Sequence, residues 1–258
     1  MTIAEKILRA KADYDAVYEA GKNAGGGGGQ GSYDEGYEAG RKAEYDAFWD
    51  LIQPNQGAAR RYVSAFGMIW HKNNFKPKYN LVPTNATQMF YNFGQDAGLS
   101  GSYGVIDLKE HLDALGVILD FSKCTSCNAC FSYSTISRVG EVRTDSLTNL
   151  QQMFTNANVM VTIDKIISHA NLAFTNAFQG APKLENVTFE GVIAQNGLNF
   201  QWSPLLSKAS IESIMAALST TTSGLTVTLS KTAVNNAFTT EEWTALVSQH
   251  TNWTISLI

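Results

Sequence analysis

The chain is poor in charge, and this scarcity limits what the protein can be. Only 16% of its 258 residues are charged, against about 25% in an ordinary soluble domain. The net charge is -4, and because nucleic-acid-binding proteins usually present a basic face, this balance argues against that class. The three cysteines cannot form a paired disulfide framework. No apolar run approaches the roughly 18 residues of a membrane helix, so we expect no membrane insertion.

The charge that is present divides the chain. Residues 1–56 contain six basic and ten acidic residues, whereas residues 57–258 contain thirteen of each. Apolar residues in the first segment follow helical spacing on either side of five glycines, Gly25–Gly29, which predict a flexible linker. We therefore predict a helical segment over 1–56. Its apolar seam could join copies of the chain in a short coiled coil or pack on the body of the same chain.

The body repeats a phrase of phenylalanine, two residues, a small residue and an aliphatic residue. Its phenylalanines are 23, 24 and 22 residues apart, and the strand-like positions after the first three are 24 apart. A period of this length is typical of a solenoid, in which each unit buries its apolar face against the next. The phenylalanines are Phe131, Phe154, Phe178 and Phe200, and the strand positions are Val139, Ile163 and Val187.

Helices and strands also alternate near the end of the chain. Ile211, Ile214, Met215 and Leu218 have helical spacing, whereas 225–229 and 253–257 alternate with period two. Between these two runs, a threonine and a glutamate three residues apart, at 239 and 242, predict a capping box that opens a second helix. We expect Trp243, Leu246 and Val247 on one face of that helix, and a last unit that caps the stack.

The repeated phrase resembles the BspA-like leucine-rich repeats of bacterial surface proteins over roughly residues 85 to 258, although the units are irregular in length. Four further phrases are similar to a group of proteins of gut Firmicutes and their phages or prophages, often encoded beside tail genes. This resemblance implies display or binding on a virion or cell surface, implies no catalysis, and carries over no functional residue. The phrases are 40–50, 75–79, 83–87 and 197–203.

Three cysteines are the sharpest candidate for chemistry. Cys124, Cys127 and Cys130 have the C-x2-C-x2-C spacing that can hold zinc or an iron–sulfur cluster. A fourth ligand at a familiar offset is missing, so His71, His111 or His169 would have to complete the site. Because the cysteines fall inside the first repeat, we favour small buried residues at a turn between units, and we expect no cofactor.

Aromatic residues are dense before the repeats. Residues 57–95 are predicted to form an aromatic-rich N-terminal cap that shields the end of the solenoid. The alternative is a carbohydrate or protein contact, because exposed aromatic rings give a large area at low entropic cost. These aromatic residues are Tyr62, Phe66, Trp70, Phe75, Tyr79, Phe90, Tyr91 and Phe93.

We therefore expect an α/β chain with three parts: the helical segment 1–56, the cap 57–95, and an irregular leucine-rich-repeat solenoid over 96–258 with a C-terminal capping unit. Its expected function is non-enzymatic attachment to a host cell-surface protein or glycan through outward strand positions. These candidate positions are Asp164, Thr188, Glu190, Thr226 and Thr228.

The expected location is a phage tail or a bacterial cell surface. The first residues lack the basic start and apolar run of a signal peptide. This favours the phage setting, whose proteins leave by lysis and could contact other tail proteins. Two alternatives stay open: a metal-binding redox or hydrolytic protein built on the three cysteines, and a structural spacer in a larger assembly.

Overall fold

The computed structural model describes residues 76–94 and 104–258, all within the compact unit Gln56–Ile258. The predicted helical segment 1–56, its glycine linker and most of the cap, residues 57–75 and 95, lie outside the described residues. The elements, in chain order, are β1 (Ile106–Asp107), α1 (Leu108–Ala114), β2 (Ile136–Arg143), β3 (Thr162–Ser168), β4 (Asn186–Gly191), β5 (Asn199–Phe200), α2 (Lys208–Ala217), β6 (Leu225–Leu229), α3 (Lys231–Ala237), α4 (Thr240–Ser248) and β7 (Trp253–Leu257).

The first four strands form one parallel sheet in sequence order, β1-β2-β3-β4. Val139 pairs with Ile163, and Ile163 pairs with Val187, so the 24-residue spacing in the sequence is the register of the sheet. All three side chains are buried, because each strand turns one set of aliphatic residues toward the core. The predicted α/β class is confirmed, with parallel sheets.

The phenylalanines of the repeated phrase stack in one buried row. Successive ring centroids from Phe131 to Phe154 to Phe178 lie 5.4 and 5.7 Å apart, with interplanar angles of 5° and 8°. Phe200 continues the row at 4.3 Å, and Phe90 extends it at the other end at 5.2 Å from Phe131. Each of the five rings is at most 1% exposed. Their stacking buries the largest side chains of successive repeats against one another.

A second backbone ladder runs beside this row. The turns at 87–94, 128–133, 151–156 and 175–180, here called the arcs, each contain one phenylalanine of the row. The Phe131 amide donates to the Met153 carbonyl at 2.8 Å, and the Phe154 amide donates to the Ala177 carbonyl at 2.9 Å. The residues two before and two after Phe154, Gln152 and Asn156, also donate to the next arc. Each arc is thus hydrogen-bonded to its neighbour without being a strand.

The arcs adopt an uncommon backbone conformation. Gln152 and Asn156 have φ of 54° and 53°, in the left-handed region, and Ala129 and Tyr133 around Phe131 have 52° and 57°. A non-glycine residue there costs on the order of 1 kcal/mol. In these two arcs the left-handed residues lie two positions before and two positions after the phenylalanine. Their backbone amides donate to the same neighbouring arc as the backbone amide of the phenylalanine does. These inter-arc hydrogen bonds offset the conformational cost.

Helix α2, rather than a fifth strand, covers the far edge of the four-stranded sheet. The Ser210 hydroxyl accepts from the Val187 amide and donates to the Glu185 carbonyl, both at 3.0 Å. The Ser213 hydroxyl accepts from the Phe189 amide at 2.8 Å. Two serines one helical turn apart thus satisfy edge amides that a strand would otherwise bind. The predicted amphipathic face of this helix is buried.

The second sheet, β5-β6-β7, is also parallel and begins where the phenylalanine row ends. Phe200 of β5 stacks in that row and pairs with Leu229 of β6. The predicted capping box is confirmed at the start of α4, where Thr239 and Glu242 each bind the backbone amide of the other. The predicted apolar face of α4 is only half-buried, and the helix buries no residue completely.

Candidate functional site

The outer face of the four-stranded sheet carries a first row of charges across β1, β2 and β3. The Arg138 guanidinium donates two hydrogen bonds to the Asp164 carboxylate, from Nε at 2.8 Å and from Nη2 at 3.1 Å. Its Nη1 lies 3.9 Å from Asp107 Oδ2. The hydrogen bond to Asp164, together with the neighbouring negative charges, raises the pKa of Arg138. One cation therefore stands between two carboxylates.

A second row of the same pattern crosses β2, β3 and β4. Lys165 Nζ lies 2.7 Å from Glu190 Oε2 and 3.9 Å from Glu141 Oε2. The hydrogen bond that Lys165 donates to the Glu190 carboxylate is the main cause of the raised pKa of Lys165. Together the two rows place four carboxylates and two cations on one face, which is acidic on balance. Such exposed pairs contribute little to stability, but they hold the side chains in one arrangement.

Three of the five predicted binding residues lie on this sheet. Asp164 is on β3, and Thr188 and Glu190 are on β4. Thr188 is exposed, as is its strand neighbour Glu190, because the intervening Phe189 points into the core. The β2–β3 pairing keeps the 24-residue period and places Thr162 opposite Arg138. The ion pair between Arg138 and Asp164, 26 residues apart, is therefore a diagonal contact to the residue two positions beyond the strand partner.

The other two predicted residues lie on a different sheet. Thr226 pairs with Thr254, and Thr228 pairs with Asn199 on one side and Ser256 on the other. These positions make an uncharged row of hydroxyl and amide groups. The structure does not bring them together with the first three residues. Helix α2 lies beside β4, where a fifth strand would otherwise pair, and β6 belongs to the separate sheet β5-β6-β7.

The three cysteines are buried free thiols in and just before the arc at 128–133. Cys124 Sγ donates to the Ser126 carbonyl at 3.0 Å, and Cys127 Sγ donates to the Asn149 carbonyl at 3.7 Å. Burial raises the pKa of all three thiols, most strongly for Cys127 and Cys130. A raised pKa keeps a thiol protonated, whereas metal ligation needs the thiolate. In the described part of the chain, no group of three His, Cys, Asp or Glu side chains has the arrangement of a metal site.

The three histidines of the described residues, His111, His169 and His250, do not complete such a site. His169 Nε2 lies 2.8 Å from the Leu147 carbonyl and 3.1 Å from the Thr144 carbonyl, so this ring joins two loop segments. His111 is in the last turn of α1, and His250 is half-buried after α4. His71 lies outside the described residues.

Part of the aromatic-rich stretch can be placed. Phe90 and Phe93 are buried and pack edge to face at 5.7 Å. Tyr91 packs on Tyr133 of the next arc, also at 5.7 Å. These residues thus belong to the packing of the first arc on the next. Four residues of the stretch lie outside the described residues: Tyr62, Phe66, Trp70 and Phe75.

An open cleft of about 350 Å3 is a feature that the sequence reasoning missed. It lies between α1, the second half of β2 and the segment 117–121. One sequence signal could have indicated the cleft: Asp107 followed three residues later by Glu110 is typical of a helix start. In the structure the Asp107 carboxylate accepts a hydrogen bond from the Glu110 amide at 2.8 Å. That cap ends β1 after two residues and leaves the cleft beside β2.

Comparison with known proteins identifies no relative: no protein family, curated protein or solved structure matches this chain. No helix within the described ranges has the length and apolarity to cross a membrane.

Proposed function

We propose that this protein is a non-enzymatic attachment protein, whose leucine-rich-repeat-like solenoid binds a host cell-surface protein or glycan. The shared register of the strands, the phenylalanine row and the arc ladder support the solenoid, because each joins one unit to the next at the same position. The units are irregular, since a helix and a second sheet replace the strand positions after β4.

The observation that carries the binding role is the ordered outer face of the four-stranded sheet. Its carboxylates are held by Arg138 and Lys165, and Thr188 stands exposed beside them. Side chains that are already ordered lose less entropy when a partner binds. A flat face with fixed charges of both signs suits a protein or glycan surface with complementary hydrogen-bonding groups.

The proposed setting is a phage tail or a bacterial cell surface. The support is the resemblance of the repeat phrase and of four short phrases to proteins of gut Firmicutes and their phages. In that setting the chain would also contact other tail proteins, and segment 1–56 would join copies of the chain. We assign no catalytic role to any residue.

A single threonine substitution tests the face. We expect Thr188→Arg to weaken binding of the fluorescent full-length protein to gut Firmicutes cells by about tenfold or more, because a bulky cation enters the face two residues from Glu190 on the same strand. Thr232→Arg is the matched control, since Thr232 is an exposed threonine on α3. Thr228→Arg reports whether the second sheet takes part.

Each outcome of that test has a clear meaning. Unchanged binding of the Thr188→Arg protein, with this variant and the Thr232→Arg control both folded by circular dichroism, would overturn the assignment of this face. Failure of the unmodified protein to bind any cell in the panel, or any glycan on an array, would overturn the attachment function itself.

A further inference from the structure

The cleft beside α1 has the features of a binding site for an extended peptide. One wall is the β2 strand from Val139 to Arg143, and the opposite wall is α1, which contributes Leu108 and Leu112. The segment 117–121 closes one end. The cleft is separate from the Thr188 region, which is on β4.

The strand that forms this wall has an open edge. β1 pairs with β2 only through Ile106 and Asp107, which face Ile136 and Arg138. Within residues 76–94 and 104–258, no strand therefore pairs with Val139–Arg143 on the α1 side. Open strand edges are the positions at which extended peptides add to a sheet, because the backbone itself supplies the hydrogen bonds.

The two ends of the same sheet differ in how the edge is covered. At β4, the serines of α2 accept hydrogen bonds from the Val187 and Phe189 amides. The α1 helix reads LKEHLDA and contains no hydroxyl side chain that could do the same. The Lys109 side chain lies over Gly140, where an added Cβ would come within 2.8 Å of Lys109 Cδ. A flexible side chain, which a peptide can displace, thus covers part of this edge.

The rim of the cleft has more negative than positive charge. Arg143 binds Asp145 through Nε at 3.1 Å, and the charges of Glu141 and Asp120 further raise its pKa. Of the residues that line the cleft, Asp113, Asp120 and Glu141 are acidic, whereas Lys109 and Arg143 are basic. Lys109 is already ion-paired with Asp113. A cationic group on a ligand would therefore meet a rim with an excess of acidic residues.

The cleft also offers apolar contact. Ile118 lines it and is 60% exposed, the highest exposure of an aliphatic residue in the cleft wall. Val142 and Val117 form part of the buried floor. An alternating segment would place aliphatic side chains on this floor and the next side chains toward the rim, since successive residues of a strand point to opposite faces.

We propose that this cleft binds an extended segment of a partner protein that alternates aliphatic residues with lysine or arginine and adds to the edge of β2. The backbone of the segment pairs with Val139–Arg143, its aliphatic side chains contact Ile118 and the floor, and its cations approach Asp120 and Glu141. The proposal does not rest on the outer-face function: the two sites share only Glu141, which also lies 3.9 Å from Lys165, and they take different ligand chemistry.

The test uses the full-length protein and synthetic peptides in fluorescence anisotropy. The probe is a labelled peptide of about eight residues, a typical strand length, that alternates valine and lysine. The comparison peptides alternate valine and glutamate, or carry N-methyl groups on the amides of one edge. We expect the valine–lysine peptide to bind about tenfold or more tightly than either comparison peptide, because only it has both the cations and the edge donors.

Variants of the cleft have matched controls elsewhere. Asp120→Asn with Glu141→Gln is expected to weaken the valine–lysine peptide by about tenfold, whereas Glu185→Gln with Glu212→Gln, at exposed positions outside the cleft, leaves binding unchanged. Ile118→Ser should weaken binding, and Leu205→Ser, at a 49% exposed leucine outside the cleft, should not.

Three results would overturn the proposal. Binding of the N-methylated peptide as tight as that of its parent would rule out strand addition. Equal binding of the valine–glutamate peptide would rule out the role of the rim. Finally, self-association of the unmodified protein in sedimentation that the Ile118→Ser variant abolishes, with no peptide binding, would assign the cleft to a second copy instead.

Discussion

The buried phenylalanine row and the charged rows on the outer face repeat along the same chain, but they have different roles. The rings of Phe131, Phe154 and Phe178 are parallel within 8° and excluded from solvent. The charges of Arg138 and Lys165 stand at the surface, where water and salt screen them. The inner row therefore carries the period of the repeat in its packing, whereas the outer rows lie at the surface, where we propose that they serve recognition.

The largest expected effect comes from a gap in the inner row. Phe154→Ala should lower the free energy of unfolding by about 3–5 kcal/mol, because it removes a buried ring that stacks on neighbours at 5.4 and 5.7 Å. Leu205→Ala, at a 49% exposed side chain, should change it by about 0.5–1 kcal/mol or less. Urea unfolding measures both, and equal losses would show that the row does not hold the units together.

A smaller effect is expected where the inner packing meets the sheet edge. Ser210→Ala should cost about 1–3 kcal/mol of unfolding free energy, because the buried Val187 amide loses its acceptor. The same substitution at Ser248 removes only an exposed hydrogen bond within α4, to Ala245, and should be nearly neutral. Thermal unfolding of the two variants compares them. A Ser210→Ala protein as stable as the Ser248→Ala protein would contradict the assigned edge contact.

The outer rows should contribute still less. In a double-mutant cycle of Lys165→Met and Glu190→Gln, we expect a coupling free energy close to the limit of measurement, since the pair is exposed to solvent. The coupling should diminish in 1 M sodium chloride as the charges are screened. A coupling as large as the loss expected for Ser210→Ala, and insensitive to salt, would make the outer rows determinants of stability like the inner row.

The smallest effect concerns His250, which belongs to neither row. Burial lowers its pKa, so the unfolded chain binds a proton more readily than the folded one. Stability should therefore fall as the pH drops through the unfolded value of about 6.5 toward the lower folded value. His250→Gln should reduce the difference in melting temperature between pH 7.5 and pH 5.5. An unchanged or larger difference would contradict the assigned burial.

The sequence predicted the parts of the fold that depend on period. The spacing of Val139, Ile163 and Val187 became the sheet register, and the spaced phenylalanines stack on one another. The amphipathic helix α2 and the capping box of α4 follow equally local rules. These features depend only on residues that are close along the chain or on one repeated sequence spacing, and the amino-acid sequence shows both.

Other features depend on backbone geometry that the amino-acid sequence does not indicate. The arcs place left-handed residues at Gln152, Asn156 and Tyr133, where glycine would have been the usual signal. Asp164 contacts Arg138 diagonally, from two positions beyond Thr162, the residue that pairs with Arg138. The separation of Thr226 and Thr228 onto a second sheet depends on which element packs beside β4, a tertiary choice. The cleft arises from the early end of β1.

The central structural claim is that successive units are hydrogen-bonded on both sides of the phenylalanine row, and amide hydrogen exchange tests it most directly. The arcs at 128–133 and 151–156 contain neither helix nor strand, so ordinary loops at these positions would exchange quickly. The account predicts that the amides of Phe131, Phe154 and their flanking donors are protected as strongly as those of β2 and β3. Exchange of these arcs at the rate of exposed loops, while the strands stay protected, would contradict it.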